Sequence, residues 1–221
     1  MTRARRRGRR PRSEDSGEFL WLVSLSDLMI LLFLFFVVMF SFTHKKFQKA
    51  DVERIVAMLR NRKPPESPVD KMKNKLDDWV KKQVFADQLI VKKGDDAVEL
   101  QIKEKLLFAS GDYHLQPEGK RALSSLSTVL EKIPEPYHLG VEGHTDDNPI
   151  HSDRIENSWD LSARRALAVL DALELPKPLL KRTVLVAHGE MSPIAPNRDA
   201  AGHPIAENQM RNRRVTLRVF P

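Results

Sequence analysis

The chain has 221 residues, 37 of them Lys or Arg against 30 Asp or Glu, for a formal net charge of +7, and 41% are hydrophobic. It contains no Cys, which excludes disulfides and thiolate metal sites and says nothing about compartment. Seven Arg fall within residues 1–12, so most of the excess positive charge lies in one short tail and the rest of the chain is nearly balanced.

Phe19 to Phe42 is an apolar run interrupted by a single charge, Asp27, and by Ser24, Ser26 and Ser41. As a helix it is about 36 Å long, enough to cross a hydrocarbon core. A lone carboxylate there costs roughly 2.5–3.5 kcal/mol, so it normally faces a partner or a wet cavity, and a functional role is the default. The plainer reading is an Asp that serves only assembly with a neighbouring helix. A cleaved signal is disfavoured, because Ser41-Phe42-Thr43-His44 is no small-residue cleavage site. The Arg-rich tail, residues 1–18, is expected in the cytoplasm and the C-terminal bulk across the membrane, against the weaker pull of Lys45, Lys46 and Lys49. Beside a span, such a tail meets anionic lipid or an acidic partner face, and nucleic acid is not an expected partner.

Residues 43–68 read as a linker. Val52, Ile55, Val56 and Leu59 share one face of a short amphipathic helix that ends before Pro64-Pro65. It is either a continuation of the span or a segment that can lie across the mouth of an assembly. Residues 69–87 carry a second helical pattern, with Met72, Leu76, Trp79, Val80 and Phe85 apolar. Its apolar side can pack on the domain or pair with a second copy.

From residue 88 the period changes to two. Leu89-Ile90-Val91 and Ala97 to Ile102 read as strands joined by Gly94-Asp95-Asp96. A helix from Pro117 to Lys132, a strand Tyr137–Glu142, a helix Leu161–Leu173, a strand Arg182–His188, a polar helix Ala206–Arg213 and a strand Val215–Phe220 follow. This order predicts an α+β sandwich over residues 88–221, helices on one face of a small mixed sheet, preceded by one transmembrane helix at 19–42. About 135 residues suffice for one core.

Gly143-His144-Thr145-Asp146 sits where a strand ends, and Trp159 to Ala166 opens the next helix. Asp146 and Arg165 can hold the two ends of a zwitterion, Asp accepting from an ammonium and Arg forking onto a carboxylate. His144, Asp146, Asp147, His151 and Asp153 can be drawn as a metal site but contain no helical His pair. Ser162 lacks a nucleophile elbow, so no catalytic residue and no enzyme activity are expected.

Gly143-His144-Thr145-Asp146, Asn157-Ser158-Trp159-Asp160-Leu161-Ser162, Arg165-Ala166, Gly189-Glu190 with Pro193 and Pro196-Asn197, and Asn212-Arg213-Arg214-Val215 resemble the OmpA-like peptidoglycan-binding domain of MotB-type stator proteins. The likeness covers about residues 95 to 220. The Asn-x-Trp-Asp-Leu-Ser form and Pro149-Ile150 favour the MotB branch, and Ser26-Asp27-Leu28-Met29 resembles that family's ion-carrying segment. The resemblance implies a rotary-motor stator subunit in a bacterial inner membrane with a periplasmic wall-binding domain. Asp27 would carry a proton or sodium ion, and two copies would sit inside a ring of a multi-pass MotA-like partner. Val52, Ile55, Val56 and Leu59 would lie in the plug. For the wall site it implies Asp146 and Arg165 on the diaminopimelate moiety of the stem peptide. Thr145, Asn148 and Leu161 would stand beside them, with Asn212 and Arg213 or Arg214 supporting the loop. No cofactor and no metal are implied. Flagellar relatives usually have a longer connection than the about 45 to 50 residues found here between Phe42 and the first strand. A flagellar motor ranks first, a ZorB-like antiphage motor or other non-flagellar motor second. A passive peptidoglycan tether is the rival from another class.

Overall fold

A computed structural model of the chain describes residues 16–44, 66–94, 96–150 and 154–221. It forms two units, Met1–Pro65 and Glu66–Pro221. The plug residues Val52, Ile55, Val56 and Leu59 lie outside the described residues.

In the first unit α1 spans Ser16–His44 and contains Trp21–Phe40, 20 residues of mean hydropathy 2.6 and long enough to cross a membrane. The side chains of this stretch, Asp27 among them, are exposed. At 1.5 Å per residue Asp27 lies about 9 Å from the Trp21 end and about 20 Å from the Phe40 end.

The second unit opens on α2, Pro68–Lys81. Ser67 and Asp70 form a capping box: the Asp70 N–H donates to Ser67 Oγ (3.1 Å) and the Ser67 N–H to Asp70 Oδ2 (3.1 Å). Lys93 also pairs with Asp70. The hydrogen bond from Lys93, then that from Ser67, holds the Asp70 carboxyl well below the usual carboxylate range, with burial opposing. A depressed folded-state pKa contributes stability at neutral pH that is lost as pH falls through the acid range. The gap in Tm between wild type and Asp70→Asn is therefore expected to be widest near neutrality and to narrow steadily below about pH 4. A gap that stayed constant down to about pH 2 would contradict this assignment.

Val69, Met72, Leu76 and Trp79 recur at helical spacing on α2 and are buried in the same core as the sheet. The apolar face whose partner the periodicity left open is thus packed on the domain. A hairpin follows, β1 Leu89–Lys93 and β2 Val98–Lys103, antiparallel with Leu89 opposite Ile102. Then come α3 Glu104–Leu107, α4 Pro117–Leu130, β3 His138–His144, α5 Ser158–Ala172, α6 Lys177–Leu180, β4 Thr183–Gly189, α7 Ala206–Asn212 and β5 Arg214–Phe220. The sheet order is β1-β2-β5-β3-β4, with β3 and β4 parallel and the other neighbours antiparallel. This is the expected mixed sheet with helices on one face: Leu139, Val141, Leu217 and Val219 meet Leu123, Leu126, Leu130, Ala166 and Val169 in one cluster. Strand periodicity sends the alternate residues Glu142, His144, Thr216 and Arg218 to the opposite face.

Candidate functional site

The strand order builds the site. β2, β5 and β3 are consecutive in the sheet, and the end of β2, the start of β5 and the end of β3 lie together, since Lys103 pairs with Arg214 and Arg214 with His144. Three side chains just beyond these ends are therefore brought side by side: Glu104, Arg213 and Asp146. The Glu104 N–H donates to the Arg213 carbonyl (3.1 Å), which fixes the first two by their backbones as well.

Helix α5 supplies the fourth. Its buried face comprises Leu161, Ser162, Arg165, Ala166 and Val169, and Arg165 is only 2% exposed, the largest fully buried side chain. A buried guanidinium requires partners. Arg165 Nη2 pairs with Glu104 Oε1, its Nε donates to the Asp112 carbonyl (2.9 Å), and its head lies over the Phe108 ring, 5.3 Å from the centroid. Arg213 bridges Glu104 Oε2 and Asp146 Oδ2. Burial pushes Arg165 below the ordinary guanidinium value, with Glu104 opposing. For Arg213 burial acts the same way, but the bonds to Asp146 and Glu104 outweigh it and the net shift is upward.

The chain of charges continues into the loop after β3. Asp146 accepts from the Asn148 side chain (2.7 Å), and Gln209 on α7 donates to Asp147 (2.8 Å) and Asn148 (3.2 Å). Arg198 Nε pairs with Asp147 at 2.6 Å. Burial of Asp147 resists ionisation, yet the bonds from Gln209 and Arg198 prevail and lower its pKa. Loop, α7 and the 198–204 segment are thereby held together.

The four charged groups Glu104, Asp146, Arg165 and Arg213 line a cleft of about 220 Å³. Its walls include Thr145, Asp146, Asn148, Leu161, Arg165 and Arg213, six of the residues singled out in the sequence, together with Glu104, which was not. Thr145 Oγ1 is buried with no hydrogen-bond partner among the described residues. Asn212 is fully buried and does not line the cleft; it staples a loop. Its Oδ1 accepts from the N–H groups of Ile194 (2.8 Å) and Ala195 (3.1 Å), and its Nδ2 donates to the Ala195 carbonyl and Asn197 Oδ1, both at 2.7 Å. Arg214 also supports this region, donating to the carbonyls of Asn212 (3.1 Å) and Ser192 (3.2 Å), and burial lowers its pKa to about 10. Ser162 Oγ donates to the Trp159 carbonyl (2.9 Å) and accepts from the Gly189 N–H (3.1 Å), a structural role between α5 and β4.

Gly143 sets how closely α5 approaches β3. A Cβ there would lie 2.1 Å from the Ser162 carbonyl oxygen, a clash between two backbones that no rotamer relieves. Gly143→Ala is expected to destabilise the domain by about 3 kcal/mol, at the upper end for overpacking, read as a lower midpoint in equilibrium denaturation. An unchanged midpoint would show that α5 can move away freely.

The fold and cleft define an OmpA-like α/β sandwich, and residues 107–207 match the OmpA family. Residues 3–62 match the model described as membrane MotB of the proton-channel complex MotA/MotB. Together these two matches, in chain order, support a MotB-type family: an N-terminal apolar helix followed by an OmpA-like domain. It is 26% identical to the uncharacterized protein YtxE of Bacillus subtilis (strain 168), over 96% of this chain and 92% of YtxE. It is 28% identical to Motility protein B of the same organism, over 69% of this chain, and spans only 56% of that relative's length. The cell wall anchor of the T6SS from Pseudomonas aeruginosa has the same fold, with TM-score 0.56 and 29% identity over 67% of this chain and 96% of that one.

Proposed function

We propose that this chain is the ion-conducting, wall-anchored stator subunit of a rotary motor, one Asp27 in each of two copies loading and unloading a proton or sodium ion inside a MotA-like ring. The observation that carries the reading is the cleft in which Asp146, Arg165 and Arg213 meet, on a chain that also bears a lone carboxylate in its span. The cleft offers both charges and an unused hydroxyl at Thr145, which suits a zwitterionic ligand such as the free end of diaminopimelate in a peptidoglycan stem. Arg165, held by Glu104, keeps its position, and Asp146 accepts the ammonium as Arg213 swings toward the carboxylate. Under this reading the chain is a single-pass inner-membrane protein with the Arg tail in the cytoplasm and the cleft in the periplasm. It performs no catalysis.

The flagellar motor is the first assignment, following the likeness to Motility protein B. A non-flagellar machine, such as a ZorB-like defence motor, is the second. One observation favours it: the chain shares its fold with a cell wall anchor of another machine. The passive tether keeps the cleft and gives Asp27 no transport role.

The wall reading is tested by cosedimentation of the full detergent-solubilised chain with purified sacculi. Asp146→Ala is expected to lower retention at least about tenfold, as loss of one charged partner of a buried contact predicts. Equal retention would remove peptidoglycan from the proposal.

A further inference from the structure

The helix-free face of the sheet holds a second cluster, distinct from the loop carboxylates that the sequence brings to mind. Glu142 and His144 are two apart on β3 and so share that face, and His188 stands beside them on the parallel strand β4. A register shift at Gly143/His144 places His144 opposite Gly189 and brings its ring against His188, centroids 4.5 Å apart. One ligand atom from each of the three lies within 4.8 Å of the others.

His144 is 3% exposed, and neither ring nitrogen has a hydrogen-bond partner among the described residues. A buried imidazole in that condition lacks the bonds that native interiors normally provide. Its Nε2 stands 3.8 Å from Glu142 Oε2, and His188 Nε2 lies 3.4 Å from the same oxygen. On the far side of His188, Ser192 Oγ is 3.2 Å from Nδ1, the kind of outer partner that fixes a ligand ring and directs its other nitrogen inward. Arg214 faces the same side, but its guanidinium is directed to the carbonyls of Asn212 and Ser192.

We propose that Glu142, His144 and His188 form a binding site for a divalent transition-metal ion of the zinc type. Two imidazoles and one carboxylate are a donor set that zinc and cobalt accept, with a further position open to water. Bond lengths of about 2.0–2.1 Å require the three donor atoms to draw together by about 1 Å and the parallel rings to tilt. His188, partly exposed at the edge strand, provides that movement and the entry path. The bound ion would tie β3 to β4 immediately before Thr145 and Asp146, steadying the strand end from which the cleft hangs. The site is independent of the motor reading: it rests on this face of the sheet alone.

The test is titration of the full, tag-free, detergent-solubilised chain with Co²⁺, read by its visible d–d absorption, with Zn²⁺ displacement as a second readout. One equivalent per chain is expected, with the intense band of four- or five-coordinate cobalt. Glu142→Gln and His188→Gln are each expected to weaken binding at least about tenfold, whereas His203→Gln, an exposed histidine elsewhere, leaves it unchanged. Absence of the band in the wild type, or equal affinity in the Glu142→Gln and His188→Gln variants, overturns the proposal.

Discussion

Glu104→Gln is expected to cost the domain about 3–5 kcal/mol and to take wall binding with it. The cleft contains two carboxylates, Glu104 and Asp146, and two guanidiniums, Arg165 and Arg213, which balance. Removing the Glu104 charge leaves Arg165 buried against a neutral amide and gives the cluster a net positive charge. In a site removed from water that imbalance is not screened, unlike that of an exposed pair. Arg213 would then pair more closely with Asp146, the group proposed to receive the ammonium. Lys105→Gln, an exposed neighbour, supplies the control and is expected to alter neither property. Denaturation midpoints and sacculus retention of the two variants, measured side by side, decide the matter. Equal behaviour would mean that Glu104 does not hold the site together.

Glu104 also marks the limit of what the residues disclose in order. Lys103-Glu104-Lys105 reads as a solvated charge run, and the single turn of α3 is too short to show a period. Its importance comes from strand order, since β5, the last strand, inserts between β2 and β3. That juxtaposition joins residues 104, 146 and 213, and no local pattern announces it. Pairing a carboxylate with the most buried Arg was the available clue, because a guanidinium on the inner face of α5 needs an acid somewhere. By contrast, the hairpin of β1 and β2 and the helices α4 and α5 follow from apolar spacing and turn residues. Asp146 and Arg165 were legible through their motifs, but the direct fork of Arg165 onto a ligand was only half the geometry: Glu104 and the Asp112 carbonyl already take two of its donors. The motif implies a loop-supporting role for Asn212, and its side chain braces the 194–197 segment. The Glu142, His144 and His188 cluster is invisible along the chain for the same reason as Glu104, being made by the pairing of β3 with β4.

Asp27→Asn is expected to produce the largest functional effect. The substitution keeps the approximate size and polarity of the side chain and removes the charge, so insertion of the apolar helix should be unchanged or eased. Wall retention, proposed for the second unit, should persist. What disappears is the alternation between charged and neutral states. A ring of partner subunits can be driven between arrangements only by differential interaction with those two states, and a permanently neutral Asn provides one. Ion flux and rotation should therefore fall together to background, while the amount of assembled complex stays level. A defect in assembly instead would identify Asp27 as an interhelical contact and favour the passive tether.

In the proposed stator, one chain joins an ion-carrying carboxylate to a wall-gripping cleft, and this union has a direct readout. It is tested most directly by ion flux through proteoliposomes containing this chain with the proposed multi-pass partner, wild type against Asp27→Asn at matched complex content. Gradient-driven proton or sodium flux is expected in the wild type and background flux in the variant. Equal flux in the two, or none in a fully assembled wild-type complex, would contradict it.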